Sequence, residues 1–103
     1  MLGNLKTLFG VGPKVDYAEL VEQGAQIVDV RSPGEFSTGH IRGSVNIPLQ
    51  QLQHKLKKLD KKKPVITCCA SGMRSASAKS MLLSKGLKEV HNGGGWSRLE
   101  SKL

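Results

Sequence analysis

The sequence predicts a single α/β domain built on a parallel sheet, and three observations carry that expectation. The apolar, β-branched runs at 26–30 and 65–68 read as buried strands of the parallel kind. Helical periodicities alternate with them, as βαβ units require. The chain of 103 residues suits one modest core and not two. A composition of 38% hydrophobic and 23% charged residues is an ordinary globular balance. It excludes a disordered tail, a coiled coil and a collagen-like chain. No apolar run approaches the roughly 18 residues of a membrane span, so no membrane partner is expected.

Residues 1–13 carry Gly3, Gly10, Gly12 and Pro13 and read as an N-terminal arm; the domain is expected over 14–103. Asp16-Tyr17-Ala18-Glu19 has capping-box spacing and opens a short helix that Gly24 ends. Gln26–Val30 is the first strand, leading into Asp29-Val30-Arg31. Ser32-Pro33-Gly34 reads as a turn. Leu49, Leu52, Leu56 and Leu59 recur at helical spacing and predict an amphipathic helix over 49–59. Val65–Cys68 is the second strand, and a small-residue loop from Cys69 to Met73 follows it. A helix over Ser75–Lys85 ends at Gly86. Lys88–His91 is a short strand, Asn92–Gly95 a tight turn, and Trp96–Leu103 a last helical piece. No internal repeat is visible.

The chemistry concentrates after the second strand. Ligands of an open parallel sheet bind beyond the carboxyl ends of its strands. A loop of small residues there lets successive backbone N–H groups converge, and the next helix adds its positive dipole end. A cysteine at the start of such a cradle has a lowered pKa and serves as a nucleophile without a histidine base. Cys69 holds that place; Cys68 continues the strand and reads as a small buried hydrophobe. Adjacent cysteines cannot form a disulfide framework, so both are expected as free thiols in a reducing compartment such as the cytoplasm.

The residues Cys69-Ala70-Ser71-Gly72-Met73-Arg74-Ser75 follow the pattern Cys-x-Ser-Gly-x-Arg-Ser. With Asp29–Phe36, Gly39–Pro48 and the late Val90-x-Asn92-x-Gly94-Gly95-Trp96, they make the chain resemble a single-domain rhodanese over most of residues 15–100. Two positions depart: Ser44 stands where the family more often has Ala, and Cys68 where a bulky strand residue such as Tyr is common. The resemblance implies a mainly parallel, five-stranded sheet flanked by helices, and a sulfurtransferase. Cys69 would take the sulfane sulfur of thiosulfate or a persulfide donor and pass it to a thiol or cyanide. The backbone of Ala70, Ser71, Gly72, Met73 and Arg74 would hold the substrate. The Arg74 side chain would steady a donor's anionic end, or pair instead with a carboxylate such as Glu35. Glu35 and His40 would tie down the loop between residues 31 and 48.

Three other readings compete. Counted from Cys68, the segment also fits Cys-x5-Arg, the pattern of cysteine phosphatases that share this fold. A protein-to-protein sulfur relay with little thiosulfate turnover is a second alternative, and a non-catalytic partner module a third, against which the retained Cys69 argues. Asp29 and Arg31 read as an ion pair fixing the loop after the first strand, and Trp96 as an anchor for the last helix. His40, His54 and His91 are scattered and match no metal-ligand spacing, so no metal and no cofactor are expected. Gly93–Gly95 lacks the Lys-Ser/Thr of a phosphate loop.

Sixteen Lys and Arg against eight Asp and Glu leave a net charge of +8, which calls for anionic partners. With four aromatic residues, a base-stacking surface is absent and nucleic acid is not expected. The run of Lys55, Lys57, Lys58, Lys61, Lys62 and Lys63 reads as a solvated helix end, or as a docking patch for an acidic protein. The chain is expected to act as a monomer. Its N-terminus does not read as a secretory signal, and Ser101-Lys102-Leu103 reads as a chance tripeptide rather than a peroxisomal address.

Overall fold

A computed structural model describes residues 14–103; the arm expected over 1–13 lies outside them. Helix α1 (Tyr17–Glu22) starts where the capping box places it, with the Asp16 carboxylate accepting the Glu19 N–H at 3.0 Å. Strand β1 (Gln26–Asp29) follows and is buried from Ile27 onward. The turn expected at Ser32-Pro33-Gly34 is instead the start of a helix, α2 (Pro33–Ser37). Ser32 and Glu35 form a full capping box, and Pro33 occupies the first helical position, where its missing N–H costs nothing.

A two-residue strand, β2 (Val45–Asn46), had no periodic signal of its own. The helix expected over 49–59 is replaced by two 3-10 turns, Leu49–His54 and Leu56–Lys58, broken at Lys55 with φ of −126°. A three-residue repeat stacks leucines on one face of a 3-10 helix as well as of an α-helix, so the spacing did not distinguish the two. Strand β3 (Val65–Cys69) is buried along its whole length and includes Cys69. Helix α3 (Met73–Ser84) begins two residues before the expected start.

Strand β4 (Val90–Gly95) runs through the glycines expected to form a turn. Gly93 and Gly95 lie where the strand leaves no space for a side chain, and Gly94 between them takes a left-handed φ of +79° at the irregularity in the pairing with β3. A Cβ on Gly93 would lie 2.8 Å from Leu99 Cδ2 and 2.9 Å from the Thr67 carbonyl oxygen. Helix α4 (Trp96–Glu100) closes the fold.

Among the described residues the sheet has four strands, all parallel, in the order β2-β1-β3-β4, rather than the five expected. Residues 14–16 pair with no strand: Lys14 and Val15 are exposed and Asp16 turns the chain into α1. Side chains alternate across β3. Val65 and Cys69 join Val28, Ile47, Leu52, Ala78 and Leu82 on the face covered by α3 and the 3-10 turns. Ile66 and Cys68 join Ile27, Leu99, Leu20 and Trp96 on the face covered by α1 and α4. Among the described residues no helix is long and apolar enough to cross a membrane.

Candidate active site

Cys69 ends β3 at the carboxyl edge of the sheet, and its side chain is 1% exposed. The three residues between it and α3 are too few to do more than turn the chain. Gly72 makes that turn with φ of +113°, a left-handed conformation that glycine adopts without strain, and so becomes the N-cap of α3. Glycine has no side chain to cap a helix. The sulfur of Cys69 does so instead: Sγ accepts the N–H of Gly72 at 2.9 Å and the N–H of Ser75 at 3.3 Å. Both groups belong to the unpaired donors at a helix start, where a negative charge is favoured.

The pKa of Cys69 is the balance of two opposed effects. Burial pushes the thiol up, as it must for any group that becomes an anion away from water. The Ser75 side chain and the N–H groups of Ser75, Gly72 and Ser71 outweigh that, and the net direction is down. Cys68 shows what happens without such donors. Burial, and then the negative charge of Asp29, push it up to about 12. Its side chain lies in the opposite core with Ile27, Ile66 and Leu99.

The loop is braced from three sides. Strand β4 meets it so closely that a Cβ on Gly95 would sit 2.9 Å from the Ala70 carbonyl oxygen. An extra residue on β4 makes this approach: Thr67 pairs with Asn92, but Cys69 pairs with Gly95. The Asn92 carbonyl Oδ1 accepts from the Ser75 hydroxyl at 2.6 Å and from the Gly94 N–H at 2.9 Å. Helix α2 contributes Glu35, whose carboxylate grips Arg74 in two parallel bonds of 2.8 and 3.0 Å. Arg74, then the N–H and hydroxyl of Ser32, hold the Glu35 carboxyl down at about 2. Of the two partners expected for the Arg74 guanidinium, an anionic donor or a carboxylate such as Glu35, it is Glu35 that it meets.

Asp29 and Arg31 form the expected ion pair, at 2.7 Å and almost fully buried. Arg31 also donates to the carbonyls of Gly39 and Glu35 and stacks 4.7 Å from the ring of Trp96. Trp96 therefore holds the 31–44 loop as well as α4. His40 stacks on Phe36 at 3.7 Å between ring centres and hydrogen-bonds its carbonyl, which places it in the same brace.

Of the expected substrate-binding residues, Ser71 and Gly72 bring their N–H groups to Cys69. Ala70 and Met73 complete the turn, and the Met73 side chain is 81% exposed. Two polar residues at the site lay outside the expected set. Ser75 carried a signal, since the third position of a helix start has an unpaired N–H. Asn92 stood in the late Val90-x-Asn92-x-Gly94-Gly95-Trp96 match, but nothing local joined it to the loop.

This architecture, a cysteine sulfur capping the helix after the central strand of a parallel sheet, agrees with the sequence comparisons. The rhodanese-like domain model matches residues 14–102, and the chain belongs to that family. It is 36% identical over 73 residues to the thiosulfate sulfurtransferase GlpE of Pseudomonas syringae, covering 71% of this chain and 69% of that protein. It is 40% identical over 80 residues to YqhL of Bacillus subtilis, an uncharacterized protein, covering 77% of this chain and 64% of the relative's length. Among solved structures, it is similar to a rhodanese with anions from E. coli, with a TM-score of 0.69 and 31% identity over 73% of this chain and 91% of the other. It also resembles reduced CoADR-RHD from Bacillus anthracis, with a TM-score of 0.73 and 35% identity. That match covers 94% of this chain and 18% of the longer one.

Proposed function

We propose that the protein is a sulfurtransferase that carries sulfur as a persulfide on Cys69. The observation that carries this reading is the sulfur of Cys69 held by N–H groups of the loop and of the first turn of α3. Such a cradle stabilises an anionic sulfur, and no general base lies in the motif to suggest another route. The Cys69 thiolate attacks the outer sulfur of thiosulfate. A new S–S bond forms as the old one breaks, and the bonding pair leaves with sulfite. The persulfide then gives its outer sulfur to a thiolate or to cyanide, and the Cys69 thiolate returns. The printed activity of the GlpE relatives supports thiosulfate as a donor.

The phosphatase reading needs Cys68 as nucleophile. Cys68 is fully buried, faces away from α3 and has a thiol pushed up to about 12. The sulfur-relay reading keeps the same chemistry and changes the partner. It gives the lysines of 55–63 a role as a docking face for an acidic protein.

The test is incubation with thiosulfate followed by intact-mass measurement. Wild type should gain one sulfur atom, and Cys69→Ser none. Absence of the adduct on wild type, or its presence on Cys69→Ser, would falsify the reading.

A further inference from the structure

The Ser75 hydroxyl lies between the sulfur of Cys69 and an acceptor on β4. The Ser75 hydroxyl oxygen lies 2.6 Å from Asn92 Oδ1, 3.0 Å from the Gly72 carbonyl and 3.5 Å from Cys69 Sγ. A serine hydroxyl has one proton to donate. Asn92 Oδ1 is fixed as an acceptor by an independent contact, the Gly94 N–H at 2.9 Å, while the Asn92 amide nitrogen faces the Gly72 carbonyl at 3.5 Å. At its shortest contact the Ser75 proton therefore points at Asn92. Toward the sulfur Ser75 then presents only lone pairs. That arrangement suits a thiol, whose S–H donates to the hydroxyl oxygen. It opposes a thiolate, which needs donors.

We infer that Asn92 is a positioning residue for the nucleophile: it holds the Ser75 hydroxyl as an acceptor toward the protonated sulfur and yields it as a donor when Cys69 loses its proton to water. The N–H groups of Gly72 and Ser75 favour the anion whichever way the hydroxyl turns. The hydroxyl adds to them only after leaving Asn92. A bond to an ionised acceptor is roughly twice as strong as a neutral one, so ionisation turns the rotor. Once the sulfur is a persulfide, the inner sulfur carries no charge and the hydroxyl returns to Asn92. Asn92 thereby favours the loaded cysteine over the free thiolate.

The charged groups around the site do not depend on this rotor. Arg74 on α3 is held by Glu35 of α2, Asp29 and Arg31 at the end of β1 hold each other, and His91 of β4 pairs with Glu89 at 2.9 Å. The inference rests on Cys69 as the nucleophile, but its test needs no sulfur donor.

Ultraviolet absorbance of the thiolate, followed against pH as the difference from Cys69→Ser, reads Cys69, and burial keeps the Cys68 thiol pushed up to about 12. The midpoint in Asn92→Ala should fall by about one pH unit relative to wild type. In a Ser75→Ala background, adding Asn92→Ala should leave the midpoint where Ser75→Ala alone puts it. An unchanged or raised midpoint in Asn92→Ala, or the same fall in both backgrounds, overturns the inference. Asn92→Asp keeps both acceptor contacts and serves if the alanine variant does not fold. It should raise the midpoint more with Ser75 present than with Ser75→Ala, and equal rises would overturn the inference. Failure of Cys69 to load from thiosulfate would overturn the proposed activity and leave this titration standing.

Discussion

At the scale of single residues, Cys68 and Cys69 show how one step along a strand decides the chemistry of a thiol. Alternation sends Cys69 toward the start of α3 and Cys68 into the opposite core. Cys68→Ala should therefore load sulfur from thiosulfate like wild type, at a stability cost on the order of 1 kcal/mol for the small cavity. A persulfide aged in air should yield no Cys68–Cys69 disulfide, which mass spectrometry would register as the loss of two hydrogens. The raised thiol has a thermodynamic consequence. Its stabilising contribution is whole below the ordinary value of 9.0 and is lost as pH rises toward about 12. Denaturant midpoints should fall over that range in wild type and fall less in Cys68→Ala. Arg74 is the second residue whose role the structure sharpens. With both terminal guanidinium nitrogens on Glu35, its first effect is to brace the loop. Arg74→Ala should slow sulfur loading from thiosulfate and from a neutral organic persulfide by similar factors. A loss confined to thiosulfate would place the guanidinium on the donor instead.

At the scale of elements, the parts legible in the sequence were those whose signals are local. The Asp16 cap, the buried β1 and β3 runs and the cysteine-to-helix loop stand where their residue types place them. The elements that differ do so for two reasons: two local signals were ambiguous, and one strand is set by contacts across the fold. The leucines of 49–59 pack inward as expected, with Leu52 and Leu59 buried, but spacing alone could not separate 3-10 turns from an α-helix. Ser32-Pro33-Gly34 was read by its turn-forming residues, although Glu35 completed a capping box that made it a helix start. Gly93–Gly95 was read as a turn because glycine interrupts most strands. Here Gly95 is required by the closeness of β4 to the active loop, Gly93 by that of Leu99 and Thr67, and Gly94 by its φ of +79°, none of which a local pattern reports. Asn92 has the same kind of role, since its partner Ser75 lies 17 positions away. Two glycine substitutions test this account. Gly95→Ala places a methyl 2.9 Å from the Ala70 carbonyl oxygen, backbone against backbone, and should lower both stability and sulfur loading by displacing the loop. Gly34, in the first turn of α2, has nothing within 4 Å of an added Cβ. Gly34→Ala should raise stability by roughly 0.4–1 kcal/mol and leave loading unchanged. Thermal melts and loading rates of the two variants, measured together, decide the point.

At the scale of the whole molecule, the net charge of +8 is distributed so that attraction and docking can be told apart. The active loop lies at the carboxyl end of β3. Lys61, Lys62 and Lys63 precede the amino end of the same strand and, with Lys88, line an open cleft of about 450 Å³ whose one acidic wall residue is Glu89. Five strand residues at about 3.3 Å each put roughly 16 Å between the two ends. That is about twice the screening length at physiological ionic strength, roughly 8 Å. Charges at the lysine end therefore act weakly on a small anion at Cys69 once salt is present. A large acidic partner touching the lysines is different, because contact charges are not separated from it by solvent. Reversing Lys61, Lys62 and Lys63 to Glu changes the net charge by six without touching the loop, its braces or either core. At physiological salt the variant should load sulfur from thiosulfate at close to the wild-type rate. At low salt, where the screening length grows to about 30 Å, it should load more slowly, since the dianion is then drawn by the whole molecule. Exchange with an acidic protein carrying a persulfide should slow at least tenfold at both salt concentrations if the lysine face docks the partner. An equal rate of protein-to-protein transfer in wild type and the variant would show that these lysines serve solubility and field alone.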